Sequence, residues 1–176
     1  MIETFLGDPV ATAFGFAGAI LAIAWPLFRG RTAMLLVQCG VHVAFIVHFY
    51  MLGAHTGSLM NVLALAQAAA AIPLARRPAF RLIYLTMLPF VAAGVILTWQ
   101  GLPSVFSGFG MAFTSVARYQ IRTMPFRLLL LVAGACWFGH NIVIGSVPGL
   151  TADVLSFGTA LAMLWREARQ PLPAAA

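Results

Sequence analysis

Charged side chains are scarce in this sequence. Only 8% of the 176 residues are charged and only four are acidic, whereas 62% are hydrophobic. Soluble globular domains carry about 25% charged and about 45–50% apolar residues, so an ordinary soluble domain is excluded. The apolar runs hold no paired carboxylates, activated serine or metal-ligand cluster, so we expect the protein not to be an enzyme.

Cysteine is also rare. Cys39 and Cys136 both lie inside apolar runs, where a disulfide framework is not expected, and we interpret them as small buried apolar residues. Each has a histidine on the same helix face, His42 and His140, but the first pair lies about two turns deeper than the second. The sequence therefore predicts no metal site and no cofactor.

The sequence does contain apolar runs long enough to cross a bilayer core of about 30 Å. Seven runs, which we call segments 1 to 7, follow one another with short connections that leave no room for a soluble domain. We therefore predict an all-α integral membrane protein with seven transmembrane helices and the lipid bilayer as a partner. The segments span about 9–28, 32–52, 58–75, 82–99, 104–117, 126–144 and 150–165.

Basic residues mark one side of this arrangement. All ten lie in the connections after segments 1, 3, 5 and 7 or at helix ends beside them, whereas the connections after segments 2, 4 and 6 carry no charge. The positive-inside rule then predicts an N-terminus outside and a C-terminus in the cytoplasm. The net charge of +6 is thus interpreted as a topology signal, and no nucleic-acid partner is expected.

The stretch 48–63 occurs a second time, 92 positions later. Self-similarity at one fixed offset is evidence for two copies of one structural unit. The same shift places Asp153 where Asn61 stood and Trp137 where Phe45 stood. The matching residues are His48, Gly53, Gly57, Val62 and Leu63 in the first copy and His140, Gly145, Gly149, Val154 and Leu155 in the second.

The seven-segment count fits such a repeat. Because a three-helix unit begins and ends on opposite sides of the membrane, one extra helix is needed to give two units the same orientation. We therefore predict parallel repeats in a three-plus-one-plus-three arrangement. The boundaries are 1–77 for triple-helix repeat 1, 78–102 for the inversion linker helix, 103–170 for triple-helix repeat 2 and 171–176 for the C-terminal tail.

Several polar side chains fall inside the segments, where they are costly unless they face protein, water or substrate. His48 and His140 lie about 7 Å, and Asn61 and Asp153 about 6 Å, from the membrane side that carries the uncharged glycine turns. We predict that they line a pocket between the repeats, floored by aromatic rings and opening toward the outside. The predicted substrate-binding residues are Phe45, His48, Asn61, Trp137, His140, Asn141 and Asp153.

A plainer alternative remains open for the histidines. Each would only tie two helices of one repeat together, His48 with Asn61 and His140 with Asp153, through a hydrogen bond worth about 1 kcal/mol. In the second pair a carboxylate meets an imidazole, so this pair could exchange a proton near neutral pH.

The string Ser115-Val-Ala-Arg-Tyr-Gln120, followed by Trp137-Phe-Gly-His-Asn141 and Gly145-Ser146, resembles the bacterial inner-membrane family YgjV. The three-plus-one-plus-three arrangement resembles the superfamily of SWEET sugar transporters, PQ-loop proteins and the KDEL receptor. The resemblance implies a multi-pass protein of the bacterial inner membrane that moves a small-molecule substrate by alternating access. A non-transporting receptor or accessory protein with a KDEL-receptor-like architecture is the alternative.

The resemblance also assigns residue roles. SWEET-type transporters hold their substrate with a tryptophan on the second helix of a repeat and an asparagine on the third, which Trp137 and Asn61 match. Asp153 departs from the asparagine pattern, which argues against a neutral sugar and admits a cationic substrate or proton coupling. Pro26 keeps the proline of the PQ-loop proteins and is expected to act as a hinge, although their glutamine is missing.

Arg118 follows segment 5 on the predicted cytoplasmic side. It is expected to close an inner gate or to bind an anion, or else to sit among anionic lipid headgroups. The sequence leaves the oligomeric state open, with a homo-oligomer as one option.

Overall fold

A computed structural model describes residues 8–24, 28, 31–74 and 81–168 of the chain. All regular structure in these ranges is helical, which confirms the predicted all-α class. The helices, numbered as the segments were, are α1 (Pro9–Ala24), α2 (Arg31–Met51), α3 (His55–Leu74), α4 in two pieces (Leu82–Thr86 and Leu88–Leu97), α5 (Leu102–Tyr119), α6 (Thr123–Ile144) and α7 (Val147–Ala168).

Three helices begin three residues before the predicted segments. The first turns of α3, α6 and α7 contain His55, Pro125 and Pro148, which end an apolar run. Proline is nevertheless tolerated in the first turn of a helix, because the amide hydrogens there have no intrahelical partner. In α4 the helix is interrupted at Met87, two residues before Pro89.

The connections after α2 and α6 are built alike. Gly53 and Gly145 have φ angles of 73° and 70°, in the left-handed region that only glycine adopts freely. In both turns the next residue donates its amide hydrogen to a carbonyl five positions earlier, Ala54 to Phe49 and Ser146 to Asn141, at 2.8 and 2.9 Å. We call the end of the bundle that carries these turns the glycine-turn end, and the opposite end the arginine end.

Helix packing follows the same order in the two halves of the chain. The first helix packs on the second and the second on the third, in α1 to α3 and again in α5 to α7. Between the halves, α1 packs against α7 and α3 against α5, while α4 lies against α3 and α5. The surface where the halves meet is called the seam below.

The bundle has polar groups inside and apolar groups outside. Its described core buries His48, Asn61, Gln67, His140 and Asn141, whereas large apolar side chains along its outer faces are more than half exposed, including Ile20, Phe90, Ile96, Phe109 and Leu128. A water-soluble protein shows the reverse distribution. This surface fits a membrane protein, whose helices are solvated by lipid.

Individual helices differ in how apolar they are. Within the described residues, Thr32–Met51 and Met124–Ile144 are each long and apolar enough to cross a membrane by themselves, and α1 and α4 are apolar but shorter. The remaining helices, α3, α5 and α7, carry much of the polar lining of the seam, which lowers their hydropathy.

Candidate functional site

A cavity of about 170 Å³ lies on the seam between the two halves. Ten of its fourteen lining residues form five pairs separated by 92 positions, the offset of the repeated stretch. We call it the seam cavity. The pairs are Ala22 with Thr114, Phe45 with Trp137, Phe49 with Asn141, Asn61 with Asp153 and Ala64 with Ser156; the other lining residues are Val41, His42, Gly149 and Ala152.

Five of the seven predicted substrate-binding residues line this cavity. They are Phe45, Asn61, Trp137, Asn141 and Asp153. Their geometry brings a tryptophan and an asparagine from different halves to one space, with a carboxylate beside them. Their role in binding a substrate stays a prediction.

The two predicted histidines lie elsewhere. His48 and His140 are fully buried outside the cavity lining, and each turns its Nδ1 toward a carbonyl of the first helix of its own half. The distances are 2.7 Å to Ala11 O and 2.9 Å to Pro103 O. Each histidine therefore ties the second helix of its half to the first.

The histidines miss the cavity because of the angular step of the helix. Each residue advances the side-chain direction by about 100°, so His48 points about 120° away from His42 although they are only six residues apart. There is room for the ring because position 15 is glycine, where a Cβ would lie 2.7 Å from the His48 Nδ1.

The expected side-chain pairs are also different in the structure. Asn61 bonds His42, with 3.1 Å between Oδ1 and Nδ1, and donates its Nδ2 to Gly57 O. Asp153 accepts a 2.7 Å hydrogen bond from Asn141 Nδ2. Neither His48 nor His140 is the partner.

Four polar or aromatic lining residues were missed by sequence reasoning: His42, Phe49, Thr114 and Ser156. A signal was present for Phe49, Thr114 and Ser156. The repeat offset relates Phe49 to the predicted site residue Asn141, and it pairs Thr114 and Ser156 with the small residues Ala22 and Ala64.

The lining from α6 and α7 offers hydrogen-bond acceptors. Asn141 Oδ1 is buried without a hydrogen-bond partner, and Gly149 packs so closely against it that a Cβ there would overlap the amide. The Asp153 carboxylate lies beside it. Unpaired buried polar atoms are uncommon, and the half-buried Asp153 carboxylate at the cavity is suited to an N–H or O–H donor of a bound molecule.

The glycine-turn end of the cavity is closed, contrary to the predicted outward opening. The rings of Phe49 and Trp137 stack across the seam with their centroids 6.2 Å apart and an interplanar angle of 5°. Beyond them, His48 Nε2 lies 2.8 Å from Ser146 Oγ of the other half. His48, Phe49 and Ser146 are all at most 2% exposed.

A second cavity of about 210 Å³ continues toward the arginine end. It shares Ala22, Val41, His42 and Thr114 with the seam cavity, so the two spaces adjoin. Its remaining lining is Gln38, Arg118, Phe126 and Leu130. We call it the arginine-end cavity. The predicted gate residue Arg118 thus borders the path from this end, whereas the predicted hinge Pro26 lies outside the described residues.

Possible metal ligands are scattered in the part of the chain that the structure describes. No group of three or more His, Cys, Asp or Glu side chains there could hold a metal ion. Cys39 and Cys136 are free thiols and partly buried.

Replacing Ser146 by alanine should destabilise the protein. Its hydroxyl is the partner of His48 Nε2 and also accepts the amide hydrogen of Gly149 at the start of α7, so Ser146→Ala removes a buried partner and a helix cap. We expect a loss of about 2 kcal/mol in the free energy of unfolding, seen as a lower thermal midpoint in detergent.

The matched control is Thr151→Ala. Thr151 is exposed on the same helix and donates its hydroxyl only to Val147 O, so a change within about 0.5 kcal/mol is expected. Equal shifts for the two variants would contradict the seam contact.

Comparison with known proteins gives one match. Residues 9–170 match the family Imp-YgjV, described as a bacterial inner membrane protein. No curated protein and no solved structure matches the chain significantly. The match confirms the YgjV resemblance of the sequence and the inner-membrane location. Because it spans nearly the whole chain, the protein belongs to the Imp-YgjV family of bacterial inner membrane proteins.

Proposed function

We propose that the protein is a multi-pass transporter that moves a small molecule across the inner membrane by alternating access, with no catalytic activity. The observation that carries the proposal is the seam cavity, whose lining is built from pairs of residues at one sequence offset. A polar cavity on the interface of two similar bundles is where transporters with internal repeats bind their cargo.

Repeated contacts support the view that the halves are copies of one unit. His48 bonds Ala11 O and His140 bonds Pro103 O, and both members of the two pairs differ by 92 positions. Glycine contacts repeat in the same way: a Cβ at Gly18 would lie 3.0 Å from the Phe45 ring, and one at Gly110 would lie 3.0 Å from the Trp137 ring.

A single helix, α4, joins the two units. Since each unit contains three helices, one intervening crossing gives both the same orientation in the membrane, with their axis of similarity passing through the seam. The alternation of arginine-rich and uncharged connections supports seven spans, with the arginine end in the cytoplasm. This arrangement supports a relationship to the SWEET and PQ-loop proteins. By analogy with the SWEET-type transporters, Trp137 and Asn61 of this protein would hold the substrate.

The halves are joined at the glycine-turn end by side-chain contacts that can be exchanged for others. His48 bonds Ser146 and Thr56 bonds Ser104 across the seam, and the Phe49 ring stacks on Trp137. If the halves rock about the cavity, these contacts open while the arginine end closes. The structure then corresponds to a state in which substrate is reached from the cytoplasm.

Asp153 favours a cationic substrate, or proton coupling, over a neutral sugar. Its carboxylate is half-buried at the cavity, and its hydrogen-bond partner is the neutral Asn141. An ionisable group at such depth is expected to serve a substrate or proton path. Proton coupling through Asp153 is therefore part of the proposal.

The repeat predicts a stabilising substitution. Ala54 directly precedes α3 as Ser146 directly precedes α7. The Ala54 carbonyl accepts the amide hydrogen of Ser58, and the Ser146 carbonyl accepts that of Leu150. His140 Nε2 is buried without a partner. Ala54→Ser should supply the missing hydroxyl and raise the free energy of unfolding by about 1 kcal/mol.

A double-mutant cycle separates this bond from helix capping. Ala54→Ser also caps α3, but that gain is the same in a His140→Leu background, so the difference between the backgrounds isolates the bond to the histidine. An identical gain in both would remove the proposed equivalence of Ala54 and Ser146.

Transport is tested directly by uptake into proteoliposomes. We expect the purified chain to accumulate at least one member of a panel of radiolabelled sugars, amines, nucleosides and vitamins. Trp137→Ala should slow that uptake by about tenfold, since it removes an aromatic wall of the cavity. Asp153→Asn should remove any dependence of the rate on an imposed pH gradient.

The control for both variants is Val154→Ala, at a neighbouring position that is 58% exposed on the outer surface, and it should transport at the normal rate. Folded protein that binds a panel member but moves none would identify the receptor alternative. A pH dependence that survives Asp153→Asn would rule out proton coupling at this residue.

A further inference from the structure

Among the residues that the structure describes, Arg118 is a positive charge on the seam with no acidic hydrogen-bond partner. It lies near the C-terminal end of α5, is only partly exposed, and borders the arginine-end cavity. None of the residues that line this cavity is acidic. Its hydrogen-bond partner among the described residues is the neutral Oε1 of Gln67, 2.8 Å from the Arg118 Nη1.

A chain of hydrogen bonds holds the guanidinium in place. Gln67 donates its Nε2 to Ser115 Oγ at 2.8 Å, and the Ser115 hydroxyl donates to Met111 O at 3.0 Å. Gln67 and Ser115 are completely buried. The chain fixes the orientation of Arg118 but supplies no charge to neutralise it.

Most of the hydrogen-bonding capacity of Arg118 remains unused. A guanidinium has five N–H donors in a fixed plane, and Gln67 takes one of them. Such a planar fork matches two oxygens of a carboxylate or phosphate, with charge-assisted hydrogen bonds. The Gln38 amide lines the same cavity and offers further donors.

The cavity belongs to the interior of the bundle. Its lining comes from α1, α2, α5 and α6, so both halves contribute to it. An unneutralised charge at a helix interface in a membrane protein is unfavourable. An anion held between these four helices removes that imbalance, whereas a lipid would have to enter between the halves to do so.

We propose that the arginine-end cavity binds the carboxylate or phosphate group of a small solute, with Arg118 as its ligand and Gln67 as a positioning residue. The adjoining seam cavity presents an acceptor at Asp153. A molecule that fills both spaces carries an anionic group at one end and N–H or O–H donors at the other. Only the identification of this molecule as cargo rests on the proposed transport function.

The experiment measures binding of acetate and inorganic phosphate to the purified full chain in neutral detergent. Each probe should raise the thermal midpoint relative to chloride at equal ionic strength, because a ligand that binds the folded state stabilises it. Arg118→Gln should weaken the apparent affinity by about tenfold or more, and Arg118→Lys by less, since it keeps the charge and loses the fork.

Two further variants separate binding from general effects. Gln67→Leu keeps the charge but releases the guanidinium, so it should weaken acetate binding by a few-fold, about the effect of one hydrogen bond. Arg122→Gln removes an exposed arginine at the same end of the bundle and should leave the affinity unchanged. Equal losses for Arg118→Gln and Arg122→Gln, or none for Arg118→Gln, would overturn the site.

Reconstitution in lipid nanodiscs distinguishes a solute from a headgroup. If acetate binds equally well in discs of phosphatidylcholine alone and in discs containing phosphatidylglycerol, the site takes a solute. Loss of acetate binding in phosphatidylglycerol discs would assign the site to a lipid and overturn the solute.

The binding result and the transport result fail independently. Acetate binding through Arg118 in a chain that moves nothing would keep this site and remove the transport proposal. If the chain takes up a solute at a rate that Arg118→Gln leaves unchanged, and no anion binding is found, the transport proposal is kept and this site is removed.

Discussion

A polar side chain inside a lipid-solvated bundle must find its hydrogen-bond partner within the bundle, and the arrangement of this protein follows from that requirement. Polar side chains of α2, α3, α5 and α6 are buried inside the bundle, and large apolar side chains cover the outside. Where a partner is close, as for His48 and Gln67, the group ties helices together. Where it is not, as for Asn141 Oδ1 and His140 Nε2, the group stays buried without a hydrogen-bond partner among the described residues.

The two halves meet this requirement differently, and the differences give the seam its character. His48 has a partner at each ring nitrogen, whereas the Nε2 of His140 has none among the described residues, and Ala54 stands 92 positions before Ser146. Asn61 is matched by Asp153, which introduces a carboxylate on one side only. Small differences between the halves thus give the seam cavity the carboxylate of Asp153 on one side only. The adjoining arginine-end cavity has the guanidinium of Arg118 in its wall.

Much of the fold could be predicted from the sequence because it depends on local patterns. Apolar runs between arginine clusters and glycine turns give the seven helices, and the offset of 92 foretells contacts that recur, such as Gly18 with Phe45 and Gly110 with Trp137. Five of the seven predicted site residues line the seam cavity, and four of them form the repeat-related pairs Phe45 with Trp137 and Asn61 with Asp153.

The remaining features depend on tertiary contacts that no local pattern contains. A step of three residues turns the side-chain direction by about 60°. The two such steps from His42 to His48 therefore place His48 on a different face of α2. Which amide pairs with which imidazole is decided by the distance between helices, as Asn61 and His42 illustrate. The closed end likewise depends on how Phe49 meets Trp137 across the seam, which the sequence of either helix does not reveal.

The most direct measurement is thiol labelling of α5 in a chain whose Cys39 and Cys136 are replaced by alanine. Thr114 lines both cavities, and Phe109, on the same helix, is 56% exposed on the outer surface. We expect Thr114→Cys to react with a membrane-impermeant maleimide in inside-out vesicles but not in right-side-out ones, and Phe109→Cys to react in neither. A Thr114→Cys thiol that is unreactive from both sides, or that reacts only from the periplasmic side, would contradict a polar seam open to the cytoplasm.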